Sequence, residues 1–252
     1  MVSRTDSLLR YLAGSICLLL LVCVRSGLAE QPAQTHMAHQ VYLAAVPKSR
    51  GGALPGQTIW STDPPQDGSV VLFRRAFRLP SGADEAALEV FADTRYEAWL
   101  DGAWVGRGPA RFGRLRQEYD THAWGQLAPG TPQLALLVQY APNSRRSVDL
   151  GGGVQASLKA RFGQTWQTVL STDEQWRALA SPAWDPRAAP VHRWSLIGPM
   201  ELLDLRSLPQ AWNRIEYDDR HWPAARLRDG GAGAGPFAAL APRTIPMLVE
   251  TP

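Results

Sequence analysis

From Val154 to Phe162 the chain alternates without a break. Val154, Ala156, Leu158, Ala160 and Phe162 point one way, and Gln155, Ser157, Lys159 and Arg161 point the other. A period of two is the signature of a strand with one face on a core, and it excludes a helix over this stretch. The pattern recurs. Val71 to Leu79 places Phe73, Phe77 and Leu79 on one face, with Arg74 and Arg78 opposite. Ala87 to Asp93 sets Leu88, Val90 and Ala92 against Glu89 and Phe91. Arg95 to Leu100 aligns Tyr96, Ala98 and Leu100, and Pro132 to Tyr140 aligns Leu134, Leu136 and Val138. Thr165 to Ser171 follows Gly163 as a partner for the 154–162 strand.

Turn residues separate these runs. Asp101-Gly102 is the sharpest signal, because a two-residue type I′ turn needs positive φ at both positions. Pro80-Ser81-Gly82, Pro129-Gly130 and Gly151-Gly152-Gly153 mark further turns. No stretch carries long amphipathic helical periodicity. Antiparallel strands of this number and pattern predict an all-β fold: an antiparallel two-sheet jelly-roll sandwich, galactose-binding-domain-like, with an irregular C-terminal segment.

The first residues stand apart. Arg4 and Arg10 precede an apolar run from Leu12 to Val24, and Gly27-Leu28-Ala29 offers a small-x-small cleavage site before Glu30. This is the anatomy of a secretory signal peptide. The run falls short of the roughly 20 residues of a permanent span. A lipid attachment at Cys23 is disfavoured by the bulky Val22 before it. Cys17 and Cys23, the chain's 2 cysteines, both lie inside this segment, so the exported part would hold no disulfide. The formal charge of the whole chain is +3. Arg4, Arg10 and Arg25 against Asp6 account for two of those charges, so the remainder is nearly neutral and has no basic block for nucleic acid. The expected organisation is a signal peptide over 1–29, an extension over 30–57, a β-sandwich over 58–180 and a C-terminal segment over 181–252. That last segment either packs on the sandwich or leads to a catalytic domain. The expected location is the periplasm or the exterior, with no permanent membrane span.

Several motifs in series resemble the sugar-binding domains at the N-termini of α-L-rhamnosidases, relatives of those in family 2 β-glycosidases. Phe73-Arg74-Arg75-Ala76-Phe77-Arg78-Leu79-Pro80 resembles their first core strand. Asp93-Thr94-Arg95-Tyr96-Glu97-Ala98-Trp99-Leu100-Asp101-Gly102 is similar to their strand-and-hairpin signature. Val105-Gly106-Arg107-Gly108-Pro109-Ala110-Arg111 is closest to the rhamnosidase set. Tyr119-Asp120-Thr121-His122 with Leu127-Ala128-Pro129-Gly130 resembles a corner, and Asp218-Asp219-x-x-Trp222 with Pro242-Arg243-Thr244-Ile245-Pro246 resembles the closing segment. The resemblance implies structural roles for Asp93, Arg95, Tyr96, Asp101, Gly102, Asp120, Asp219 and Trp222. It also implies that the catalytic barrel of such enzymes lies outside this sequence.

Glycoside hydrolysis needs two carboxylates, about 5–5.5 Å apart for retention or about 6.5–9.5 Å for inversion. Asp84-Glu85, Glu118 with Asp120, and Asp218-Asp219 are the candidate pairs, and each reads better as turn or anchor chemistry, so no catalytic residue is expected. The histidines, His36, His39, His122, His192 and His221, lack metal-ligand spacing, and no metal site is expected from them. Calcium is compatible with sandwiches of this kind, but no ligand string is evident. Ser144 and Ser147 lack a nucleophile context, and Gly151-Gly152-Gly153 precedes a strand, not a phosphate-binding helix.

Sugar binding is the better candidate. Aromatic faces stack on pyranose rings, while forked donors satisfy hydroxyls. Trp104, Arg107, Arg111, Arg114, Tyr119 and Trp124 are expected on loops beside the hairpin, unless Trp104 and Trp124 instead cover the core or an interdomain face. The expected function is a non-catalytic carbohydrate-binding or scaffold domain of an exported rhamnosidase-like hydrolase, for a rhamnose- or galactose-containing glycan. Two alternatives are a truncated α-L-rhamnosidase, inactive alone beside a barrel encoded downstream, and a cell-surface sandwich that binds no sugar. Trp184, Trp194, Trp212 and Trp222 crowd the tail, which predicts an apolar docking face left exposed there.

Overall fold

The computed structural model describes residues 54–110, 116–142, 150–185, 187–188, 201–228, 237 and 239–247. The signal-like segment, Arg111, Arg114 and Trp194 lie outside them. In chain order the strands are β1 (Ile59–Trp60), β2 (Val70–Ala76), β3 (Glu85–Asp93), β4 (Arg95–Leu100), β5 (Ala103–Gly108) and β6 (Glu118–Trp124). Then follow β7 (Gln133–Gln139), β8 (Gly153–Phe162), β9 (Thr165–Ser171), β10 (Arg177–Ala180), β11 (Arg226–Leu227) and β12 (Ala241–Pro242).

These strands make two sheets, as their alternation requires. One runs β11-β1-β8-β3-β6-β12, with β9 also on β8, and the other runs β10-β2-β7-β4-β5. Nearly every pairing is antiparallel; β12 on β6 is parallel. The inward residues of both sheets form one core, in which Phe73, Leu88, Val90, Tyr96, Leu136 and Leu158 are almost wholly buried. The fold is the all-β two-sheet sandwich that the periodicity predicts.

The β4–β5 hairpin turns at Asp101 (φ 50°) and Gly102 (φ 80°), the positive pair that the Asp-Gly signal demands. Asp101 fixes the turn from its side chain, accepting the Gln133 N–H at 2.7 Å. Asp93, fully buried, ends β3 by accepting the N–H groups of Leu150 (2.8 Å) and Gly152 (3.0 Å), which ties down the approach to β8.

Two expectations are corrected, and the face opposite Phe73 holds a buried charge. Tyr119 to His122 is not a corner: it lies within β6, inside the larger sheet. Arg74 lies opposite Phe73 on β2 but does not meet water. It is 1 % exposed, with Nε 3.3 Å from Asp219 Oδ2, and it donates to the carbonyls of Tyr217 (3.0 Å) and Arg214 (2.9 Å). The Tyr217 ring lies over its guanidinium at 4.9 Å. A buried charge needs such partners, and the tail supplies them. Finally, Trp212 and Trp222 are not an exposed docking face. They are 6 % and 1 % exposed and pack with Val70, Leu72 and Ala135 on the outer face of the five-stranded sheet. That face is too apolar to meet water, so the tail covers it and completes the domain's own core.

The outer side of β3 is covered as well. Phe91 meets Phe237 edge to face at 5.2 Å, beside Tyr119 and Leu240. Glu89, 1 % exposed, pairs with Lys159 at 2.7 Å.

Candidate functional site

A cavity of about 500 Å³ opens where the outer face of the five-stranded sheet meets its β5 edge. β4 contributes Arg95 and Glu97, β5 contributes Val105 and Arg107, and β7 contributes Leu137 and Gln139. Alternation explains the set: Tyr96, Ala98 and Leu100 fill the core, so Arg95 and Glu97 face outward. The tail adds Trp184 and Glu201, and the segment after β12 adds Arg243 and Met247.

Trp184 is half-buried and held in place. Its Nε1 donates to Glu201 Oε2 at 3.1 Å, and Gln139 Nε2 reaches Glu201 Oε1 at 3.5 Å. An indole, a carboxylate and an amide thus converge beside the apolar floor of Val70 and Leu137.

The inner end of the cavity rests on a buried polar network. The Tyr96 hydroxyl donates to Asp120 Oδ2 at 2.7 Å and lies 2.9 Å from His122 Nε2. Asp120 Oδ1 accepts from Arg243 Nη1 at 2.9 Å. An ionised carboxylate only accepts, so the Tyr96 proton goes to Asp120 and the imidazole Nε2–H donates to Tyr96. Burial, and then the nearby Arg243 charge, push the His122 pKa down to about 4, so the ring is neutral at physiological pH. Burial likewise pushes the Asp120 carboxyl upward, against the hydrogen bonds from Tyr96 and Arg243. β5 crosses directly over this pair. A Cβ on Gly106 would sit 2.4 Å from His122 Cε1, and one on Gly108 would sit 1.9 Å from Asp120 Oδ2. The two glycines of the Val105-Gly106-Arg107-Gly108 motif therefore answer to the network beneath them.

Of the residues expected to hold sugar, Arg107 is exposed and lines the cavity, together with the motif residues Arg95 and Tyr96. Trp104 is half-buried but does not line it; it meets Trp99 edge to face at 5.4 Å. Tyr119 (0 % exposed) and Trp124 (5 %) are strand residues rather than loop residues. Both rings are enclosed by core neighbours, so neither offers a face for stacking. Arg111 lies outside the described residues.

Trp184, Glu201 and Gln139 were not anticipated as site residues. Gln139 carries a weak signal, a glutamine closing the apolar run Leu134 to Val138. Glu201 carries none, because only the fold brings it to Trp184.

The candidate carboxylate pairs are all engaged. Asp84 accepts the Gly163 N–H and Glu85 pairs with Arg161. Glu118 holds Thr244 and Arg116, and Asp120 holds Arg243. Asp218 pairs with Arg220, and Asp219 pairs with Arg74. Among the described residues no three His, Cys, Asp or Glu side chains gather as metal ligands. No helix among them is long and apolar enough to cross a membrane.

No family model matches the chain, and no curated protein matches it. Solved structures do. A GH78 family rhamnosidase of Bacillus sp. GL1 superposes with a TM-score of 0.69 at 30 % identity, over 78 % of this chain and 20 % of the enzyme. The α-L-rhamnosidase of Streptomyces avermitilis, solved with L-rhamnose, gives 0.52 at 21 % identity, over 76 % and 16 %. A lectin from Pleurotus ostreatus, solved with GalNAc, gives 0.53 at 20 % identity, over 80 % and 51 %. The last two speak to fold alone. The chain thus spans about a fifth of the rhamnosidases it matches, and its sandwich is similar to one found within α-L-rhamnosidases, as its strand motifs announce.

Proposed function

We propose that this chain is a carbohydrate-binding sandwich of the α-L-rhamnosidase type, exported by its signal-like N-terminus, and that the described domain catalyses nothing itself. The observation that carries the reading is the cavity at Trp184. A half-exposed indole suits the apolar face of a pyranose, and the Glu201–Gln139 pair and Arg107 suit its hydroxyls. A rhamnose- or galactose-containing glycan fits this chemistry. The engagement of Glu201 by Trp184 and Gln139, and of the carboxylate pairs named above by their partners, speaks against hydrolysis by the described residues.

Isothermal titration with rhamnose- and galactose-terminated oligosaccharides tests the reading. Binding to the wild type that weakens at least about tenfold in Trp184→Ala is the expected result. No heat with any of these sugars, from a cooperatively folded protein, would leave the domain as a scaffold only.

A further inference from the structure

The charged groups at the cavity differ in what they already hold. Both oxygens of Glu201 accept hydrogen bonds, from Trp184 and Gln139. Glu97 stands directly across from Arg107 in the β4–β5 register. Arg243 grips Asp120 and the Pro246 carbonyl. Arg95 is different. It is exposed at the cavity wall, its β7 neighbour is the neutral Gln139, and its side chain makes no hydrogen bond or ion pair with another of the described residues. Tyr96, locked in the network beneath, fixes the strand that carries it.

A guanidinium presents several N–H donors in one plane, a geometry that matches a carboxylate with two parallel bonds. A hydroxyl uses only one of those donors and leaves the charge unmatched. Resting on the sugar-binding reading above, we infer that the glycan taken by this cavity carries a carboxylate, as a uronic acid residue does, and that Arg95 receives it. The sugar ring would lie toward Trp184 and Leu137, with the acid at the Arg95 end.

The test is calorimetric titration with digalacturonic acid and with the neutral disaccharide that has CH2OH in place of each carboxylate. The proteins are the wild type, Arg95→Gln, and Arg78→Gln as a charge control on an exposed arginine outside the cavity. The acidic disaccharide should bind the wild type and Arg78→Gln about three- to tenfold more tightly than the neutral one. Arg95→Gln should bind the two alike, and added salt should narrow the wild-type preference. Equal affinity of the wild type for both sugars, or a preference that survives Arg95→Gln, overturns the carboxylate inference while sugar binding stands. Binding of neither sugar, nor of any in the preceding titration, overturns the sugar-binding reading and this inference with it.

Discussion

His122 makes the fold acid-labile in a defined pH window. The ring is neutral and enclosed, with a folded pKa of about 4 against about 6.5 in an unfolded chain. Between those values the unfolded state binds a proton that the folded state refuses. Its contribution is therefore fully present above pH 6.5 and is lost progressively as pH falls toward 4. A difference of about 2.5 units at 1.36 kcal/mol each amounts to about 3 kcal/mol. Tyr96, Asp120 and Arg243 face the same network. The raised pKa of Asp120 acts in the opposite direction, because the folded state takes up its proton first as pH falls. The comparison must therefore be between proteins. His122→Gln keeps a side-chain N–H for Tyr96 and cannot titrate. Urea melts followed by tryptophan fluorescence at pH 7, 6, 5 and 4 should show the wild type losing about 2–3 kcal/mol more than the variant. Parallel pH profiles for the two proteins, or an NMR titration of the ring centred at the ordinary histidine value of about 6.5, would contradict a buried, neutral imidazole.

Other consequences follow from particular contacts. Gly102→Val forces a β-branched residue to positive φ and drives its Cβ to 2.9 Å from Arg214, so it should lose roughly 1 kcal/mol or more, while Gly125→Val, with open space around it, should lose little by the same urea melt. Trp222→Ala should lose about 3–5 kcal/mol, because the indole is enclosed against Leu72 and Trp212 and its loss opens a cavity; stability within about 0.5 kcal/mol of wild type would contradict the covering role given to the tail. Expressed with its native start, the protein should yield an intact mass beginning near Glu30 in the periplasm or medium, and full-length protein in the inner membrane would count against export. Purified protein should release no aglycone from aryl rhamnosides, and turnover abolished by a single Asp or Glu substitution would show a catalytic pair that the geometry does not suggest.

What the sequence shows and what it hides divide along local and long-range physics. The Asp101-Gly102 turn is legible because its requirement is two consecutive dihedral angles. The 154–162 strand is legible because one face of it meets a core. Tyr119 to His122 misleads because β6 is covered on both faces, so its pattern, with Tyr119, Asp120 and His122 buried, does not alternate by polarity. The burial of Arg74 is not legible for the same reason: its partners, Asp219 and the carbonyls of Arg214 and Tyr217, arrive some 140 residues later. The aromatic residues between Trp104 and Trp124 look like sugar platforms by composition, but alternation along β6 turns Trp124 into the core between the sheets and Tyr119 to the opposite face, where Phe237 and Leu240 cover it. The cavity itself joins β4, β5 and β7 to two tail residues and to the segment after β12, and no local pattern encodes such a meeting.

Sugar at Trp184, on the outer face of the five-stranded sheet, would be seen in an NMR titration that follows indole and guanidinium N–H signals while a binding oligosaccharide is added. Shifts should concentrate at the Trp184 Nε1–H and at Arg95 and Arg107, with Trp104, Trp124 and Trp222 unmoved. Shifts centred instead on Trp104 and Trp99, or no shift at Trp184 at saturating sugar, would contradict that placement.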